Sequence, residues 1–121
     1  MPSKGKENEL YAAGVFNEMP SMTDLRYLKH PSGEAIDIPE RIGLSYEKFG
    51  THLLKDEYGN KVLIIKHDTM KEVVATNVEI LRRWLAGSGE RPVTWATLIK
   101  VVQLINPTLA KQIREALTQS M

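Results

Sequence analysis

The side chains able to do acid–base, nucleophilic or metal chemistry are few. The chain holds three histidines, His30, His52 and His67, and no cysteine. None of the three has a second His or Cys at metal-ligand spacing, so no metal is expected. The missing thiols remove disulfide frameworks and thiol catalysis, and they fit a reducing compartment. His52 falls beside an apolar helical stripe, where packing explains it without a ligand. No nucleophile elbow, zinc-binding His pair on a helix or phosphate-binding Walker loop occurs. Gly87-Ser88-Gly89 follows a helix rather than a strand, so a helix end accounts for it better than a phosphate cradle does. Asp56-Glu57-Tyr58-Gly59-Asn60 lacks the alternating acids of a calcium loop. The expectation is a protein without catalysis and without a cofactor.

Charge is the other chemistry available. Residues 1–72 carry 10 Lys/Arg against 12 Asp/Glu, whereas residues 73–121 carry 6 against 3. The C-terminal part is therefore basic by three, the difference between those last two counts. Solvated helix faces explain much of this, and a partner-binding face is the functional alternative. The whole chain, at 121 residues and net charge +1, suits one domain and gives no argument by itself for nucleic acid or membrane. No run approaches the ~18 apolar residues of a membrane span, and Met1-Pro2-Ser3-Lys4-Gly5 opens no signal peptide. A soluble, cytoplasmic protein is expected.

The elements that must position these residues begin at Asp37. Residues 1–36 hold three prolines and scattered apolar residues, and read as a poorly ordered N-terminal tail or linker. Its removal through residue 30 should leave stability nearly unchanged. Residues 37–119 read as the folded domain. Asp37-Ile38-Pro39-Glu40 resembles a capping box, and Ile38, Ile42, Tyr46, Phe49 and Leu53 form one helical stripe to about Leu54. Gly43 and Gly50 within it mean either a close helix crossing or a break at Gly43. Lys61–Lys66 is strand-like in composition but has no pairing partner in the chain, so a short buried helix capped by Asn60 is expected. A strand paired across a dimer is the other way to satisfy it.

Thr69-Met70-Lys71-Glu72 reads as a second capping box opening a helix to Ala86. Val73, Val74, Val78, Ile80, Leu81, Trp84 and Leu85 share its apolar arc. Glu72, Ala75, Thr76, Glu79, Arg82 and Arg83 share the opposite face, with Glu79 placed to pair with Arg82 and Arg83. Gly87 ends this helix. Thr94 caps the next, with the stripe Trp95, Leu98, Ile99, Val102 and Ile105. Asn106-Pro107 starts the last, with Leu109, Ala110, Ile113, Ala116 and Leu117 inward. Both tryptophans lie on core stripes, which favours packing over an aromatic binding platform. The fold expected is an all-α antiparallel bundle.

The order of these pieces resembles the death domain, a six-helix bundle of the death-fold superfamily. The residues carrying the resemblance are Ile80-Leu81-Arg82-Arg83-Trp84-Leu85, the glycine-rich loop, Thr94-Trp95-Ala96-Thr97-Leu98-Ile99 and Leu109-Ala110-Lys111-Gln112-Ile113. Ile42-Gly43, Tyr46–Gly50 and Leu53-Leu54 look like the family's first helix, especially in invertebrate members. The likeness covers about Ile38 to Leu117. It departs where the strand-like Val62–Ile65 must supply the second helix and only His67–Lys71 remains for the third.

The resemblance implies a protein–protein interaction module that assembles apoptotic or innate-immune signalling complexes. Its partners would be other death-fold proteins or further copies of itself. In that family one surface combines the end of the fourth helix with the loop after it, which here means Glu79, Arg82, Arg83, Glu90 and Arg91. Its counterpart is the loop before the sixth helix with that helix's start, here Asn106, Thr108 and Lys111. The second surface is basic, so an acidic heterotypic partner fits better than simple self-complementarity.

The competing reading is a helix-turn-helix, with Asn106–Leu117 in the major groove and Thr108, Lys111, Gln112 and Arg114 as contacts. A turn without glycine and a charge of only +1 argue against nucleic acid. For the bundle itself, Trp95→Ala should lower stability by ~3–5 kcal/mol, the usual effect of truncating a buried large aromatic. A denaturation midpoint equal to the wild type would place Trp95 on the surface.

Overall fold

The computed structural model describes residues 14–56, 59–70 and 72–119. In chain order these form α1 (Met22–Arg26), β1 (Leu28–Lys29), β2 (Ala35–Ile36), α2 (Ile38–Ile42), a 3₁₀ turn (Gly43–Ser45), α3 (Tyr46–Leu53), α4 (Asn60–Asp68), α5 (Val73–Leu85), α6 (Trp95–Ile105) and α7 (Pro107–Gln119). Most of the described residues are helical, and the one sheet is an antiparallel pair with Leu28 opposite Ile36 and Lys29 opposite Ala35. No helix is long and apolar enough to cross a membrane among the described residues.

The C-terminal helices follow local signals closely. The Thr94 hydroxyl accepts the Thr97 N–H at 3.3 Å, and Asn106 Oδ1 accepts the Leu109 N–H at 3.1 Å, so both caps operate. Gly87 ends α5 in a Schellman arrangement: its N–H donates to Trp84 O, and the Ser88 N–H donates to Arg83 O. Trp84, Leu81, Leu98, Ile113, Trp95 and Ile99 are all buried. The α6–α7 contact is the most extensive, while α5 lies against α2, α3, α4 and the 3₁₀ turn.

The expected first helix is two helices. The chain breaks at Gly43, whose φ of 54° and ψ of −131° lie outside helical space. The buried Asn77 amide of α5 fills the break, donating to Pro39 O at 2.9 Å and Gly43 O at 3.0 Å. Gly50 plays the other role considered for these glycines. A Cβ there would sit 2.6 Å from Val62 Cγ2 and 3.0 Å from Ile80 Cδ1, so only glycine lets α3 nest between α4 and α5.

Residues 60–68 are helical despite their β-branched composition. Val62 and Ile65 face inward, leaving Leu63 and Ile64 63% and 54% exposed. Its cap is not Asn60: Asp56, itself buried, accepts the Val62 N–H at 3.0 Å. The capping box expected at Thr69–Glu72 also divides differently. Thr69 Oγ1 closes α4 by donating to Ile65 O, whereas Glu72 caps α5 by accepting the Ala75 N–H at 3.0 Å. Thr76 is buried rather than on the polar face, donating to Glu72 O at 2.7 Å. No separate helix forms from His67 to Met70, which are the end of α4 and a turn; Lys71 is not among the described residues.

The domain boundary placed at residue 36 lies too late. Ser21 and Asp24 form a reciprocal capping box that starts α1, and Arg26 donates two hydrogen bonds to the Asp37 carboxylate at 2.9 and 3.1 Å. That pairing with Asp37 holds the Arg26 guanidinium above its ordinary pKa. Leu25 and Ile36 are buried in the same core as Trp84 and Ile113. The Trp95 N–H donates to Glu18 O at 3.1 Å, tying the segment ahead of α1 to the start of α6. Of the residues read as a tail, 1–13 lie outside those described. Deleting residues 1–30 therefore removes core, contrary to the expectation from sequence. Leu25→Ala alone should lower stability by ~2–5 kcal/mol in urea denaturation. An unchanged midpoint for Leu25→Ala would restore the boundary to residue 37.

Candidate functional site

The residues singled out at the end of α5 do come together, on a rigid base. Arg83 Nε lies 3.3 Å from Glu79 Oε1, and Arg82 Nη1 lies 3.8 Å from Glu79 Oε2, one acid serving two cations. Arg83 Nη2 also reaches Asp68 Oδ2 at the end of α4, at 3.8 Å. The Arg82 side chain remains 68% exposed, making it the freest charge of the set. In solvent these pairs contribute little stability, of order 0–1 kcal/mol each, but they orient the guanidinium groups.

The loop from α5 to α6 is held against the end of α3. Gly89 is buried, and a Cβ on it would stand 2.6 Å from Leu53 O and 2.8 Å from Leu54 Cα. Lys61 Nζ donates to Leu54 O at 3.3 Å and to Ser88 O at 3.4 Å, bridging the two segments. Arg91 donates its Nε–H to His52 O, so part of its guanidinium is structural. Glu90, at a positive φ of 57°, is exposed. The loop carrying Glu90 and Arg91 is thus held on α3 and follows in the chain on the Arg82–Arg83 end of α5, and these residues make up the candidate edge.

This edge is mixed in charge rather than basic. Asp68 and Glu79 pair with Arg82 and Arg83, Glu90 adds an exposed acid next to Arg91 in the chain, and the acid of α4 is the member sequence reasoning missed. Asp68 joins the group only because the α4–α5 turn folds α4 back on α5, a long-range fact without a local signal. Asp56 and Lys61, which shape the supporting loops, were missed for the same reason.

The second group of predicted residues is separate. Asn106 uses its side-chain oxygen to cap α7 and is half-buried, whereas Thr108 and Lys111 are exposed. Among the described residues, no hydrogen bond or ion pair joins this group to the end of α5. The histidines are likewise dispersed: His30 Nδ1 accepts the Ser32 N–H, with Nε2 3.6 Å from Glu115 Oε1, while His67 is exposed beside Asp68. No cluster of three or more His, Cys, Asp or Glu able to hold a metal occurs among the described residues.

No protein-family model matches the chain, and neither a curated protein nor a solved structure does.

The contact at Gly89 decides whether the edge is rigid. Gly89→Ala sets a methyl against backbone that cannot rotate away, so the loop must lift and Arg91 must leave His52. A loss of about 1–3 kcal/mol is expected, with amide shifts at Glu90 and Arg91. Gly14→Ala, where a Cβ would meet nothing within 4 Å, is the control. Unmoved Glu90 and Arg91 amides in Gly89→Ala would show that the loop is not held there.

Proposed function

We propose that the chain is a non-catalytic interaction module of the death-domain type, assembling cytoplasmic signalling complexes with other death-fold proteins or with further copies of itself. The observation that carries this reading is the fixed, charged edge at the end of α5, with Arg82 exposed and the following loop anchored on α3. A surface that recognises another folded protein must be preorganised, because ordering a mobile loop on binding would weaken the complex. The order α3, α4, α5, α6, α7 supports the reading through its second-helix equivalent, since Asn60–Asp68 is helical. The missing third helix departs from the family pattern and takes that surface out of the proposal.

The mixed charge changes the partner expected from sequence. A uniformly acidic surface would meet Glu79, Glu90 and Asp68 as well as the arginines. A partner with alternating signs in matching register fits, and such patterning gives specificity more than affinity. The helix-turn-helix alternative gains no support: α6 and α7 are separated by Asn106 alone, against the 3–4-residue turn of that motif.

Arg82→Glu tests the reading most cleanly, because Arg82 is solvated and its replacement removes no core packing. The variant should keep its circular dichroism and melting temperature yet lose assembly, measured by light scattering of the purified chain alone and with purified death domains. Arg82→Glu/Arg83→Glu should lose it further. Wild-type assembly should weaken as salt shortens the screening length below about 8 Å. Full assembly by the double variant at low salt would exclude this edge.

A further inference from the structure

A second surface, formed by α6 and α7 with the segment before α1, has a different character. Ala96, Ile99, Lys100, Gln103 and Leu104 recur along one face of α6 at helical spacing. With Phe16 from the segment before α1 and Arg114 from α7, they line a groove of about 340 Å³. Ile99 is buried, Phe16 packs partly into the core, and Leu104 stands 54% exposed at the edge. Phe16 and Ile99 on the floor and Leu104 at the edge give the concavity an apolar stripe, with polar groups only at its margins.

The charges around the groove decide what fits. Arg26 has Asp37, Lys66 has Glu47, and Arg82 and Arg83 share Glu79. Lys100 and Arg114 are exposed, and neither has an acidic partner or a side-chain hydrogen bond among the described residues. Two unpaired cations flanking an apolar floor raise the local positive potential, which favours an occupant carrying acids on either side of an apolar stripe. The walls are helices whose backbone groups are hydrogen-bonded internally, so a strand has no edge to extend. The groove residues on α6 recur three and four apart, and the peptide mode that matches this spacing is an amphipathic helix anchored at every third or fourth residue.

We propose that the α6–α7 groove is a docking site for an acidic amphipathic helix of a partner protein. The site is independent of the edge at the end of α5, so the two can fail separately. It would let one copy of the module hold a tethered helix while its other surface engages a folded domain.

The test uses the full chain and a fluorescein-labelled peptide of about 15 residues, with leucines at helical spacing flanked by glutamates. Fluorescence anisotropy should show saturable binding, weakened at least about tenfold by Lys100→Glu/Arg114→Glu and by Leu104→Glu. The same peptide with lysine for glutamate should not bind, and Arg82→Glu should bind as wild type does. All three substituted groove residues are exposed, and unchanged melting curves would show that the variants fold. No binding of the acidic peptide, equal binding of the lysine peptide, or indifference to the groove variants would each overturn the proposal. So would displacement of the peptide by duplex DNA of about 20 base pairs, which would assign the cations to phosphate. Self-association of the chain that Leu104→Glu abolishes would make a second copy the occupant, and would overturn it too.

Discussion

Asn77 donates both amide hydrogens inside the core, to carbonyls 38 and 34 residues earlier in the chain. A buried NH2 group without acceptors would be destabilising, and so would the Gly43 carbonyl left without a donor at the break. The Asn77 NH2 group and that carbonyl satisfy each other, and its second N–H goes to Pro39 O, which also accepts the Gly43 N–H. The bond therefore sets the angle between α2 and α3, and that angle sends α3 across α5 at Gly50. There the absence of a side chain brings Val62 and Ile80 into contact with the α3 backbone. The far end of α3 then receives Gly89 and Arg91. The candidate edge is thus positioned by a hydrogen-bonded break at the opposite end of the same element.

The helices α5, α6 and α7 were legible in the sequence because each announces itself within a few residues. Thr94, Asn106-Pro107 and Gly87 act on neighbouring N–H and C=O groups, so their effect survives any tertiary context. The first third was not legible for the complementary reason. Leu25 and Ile36 are single apolar residues in a polar stretch, and periodicity cannot detect a core contribution that arrives one side chain at a time. Ser21-x-x-Asp24 was the available signal, a capping box followed by only one turn of helix. The break at Gly43 was legible as one of two outcomes, but choosing between them required Asn77, which no local pattern links to Pro39.

Residues 60–68 show tertiary context overriding propensity. Four consecutive apolar residues cannot all be buried on a helix that turns about 100° per residue, and Leu63 and Ile64 are left outward. A strand would have divided them alternately, but the described residues offer no neighbouring edge to hydrogen-bond it. The helix satisfies its backbone internally, and Asp56 adds a cap from outside the segment. Satisfying backbone groups outweighs exposing two aliphatic side chains, since an unpaired buried amide costs ~1–3 kcal/mol and solvated leucine is common.

The same distinction between local and long-range pairing explains the candidate surfaces. Counting charges along the chain gave a basic C-terminal part, and the fold distributes that excess unevenly. Where α4 folds back on α5, Asp68 and Glu79 absorb the arginines into a mixed edge. On the outer side of α6 and α7 no acid among the described residues pairs with Lys100 or Arg114, and the positive character persists there. One surface therefore discriminates by the register of alternating signs, and the other by an apolar stripe under one sign of charge. Two of the basic residues behind the excess visible in the sequence, Lys100 and Arg114, face the groove, while Arg82 and Arg83, which first drew attention for their charge, are the better neutralised.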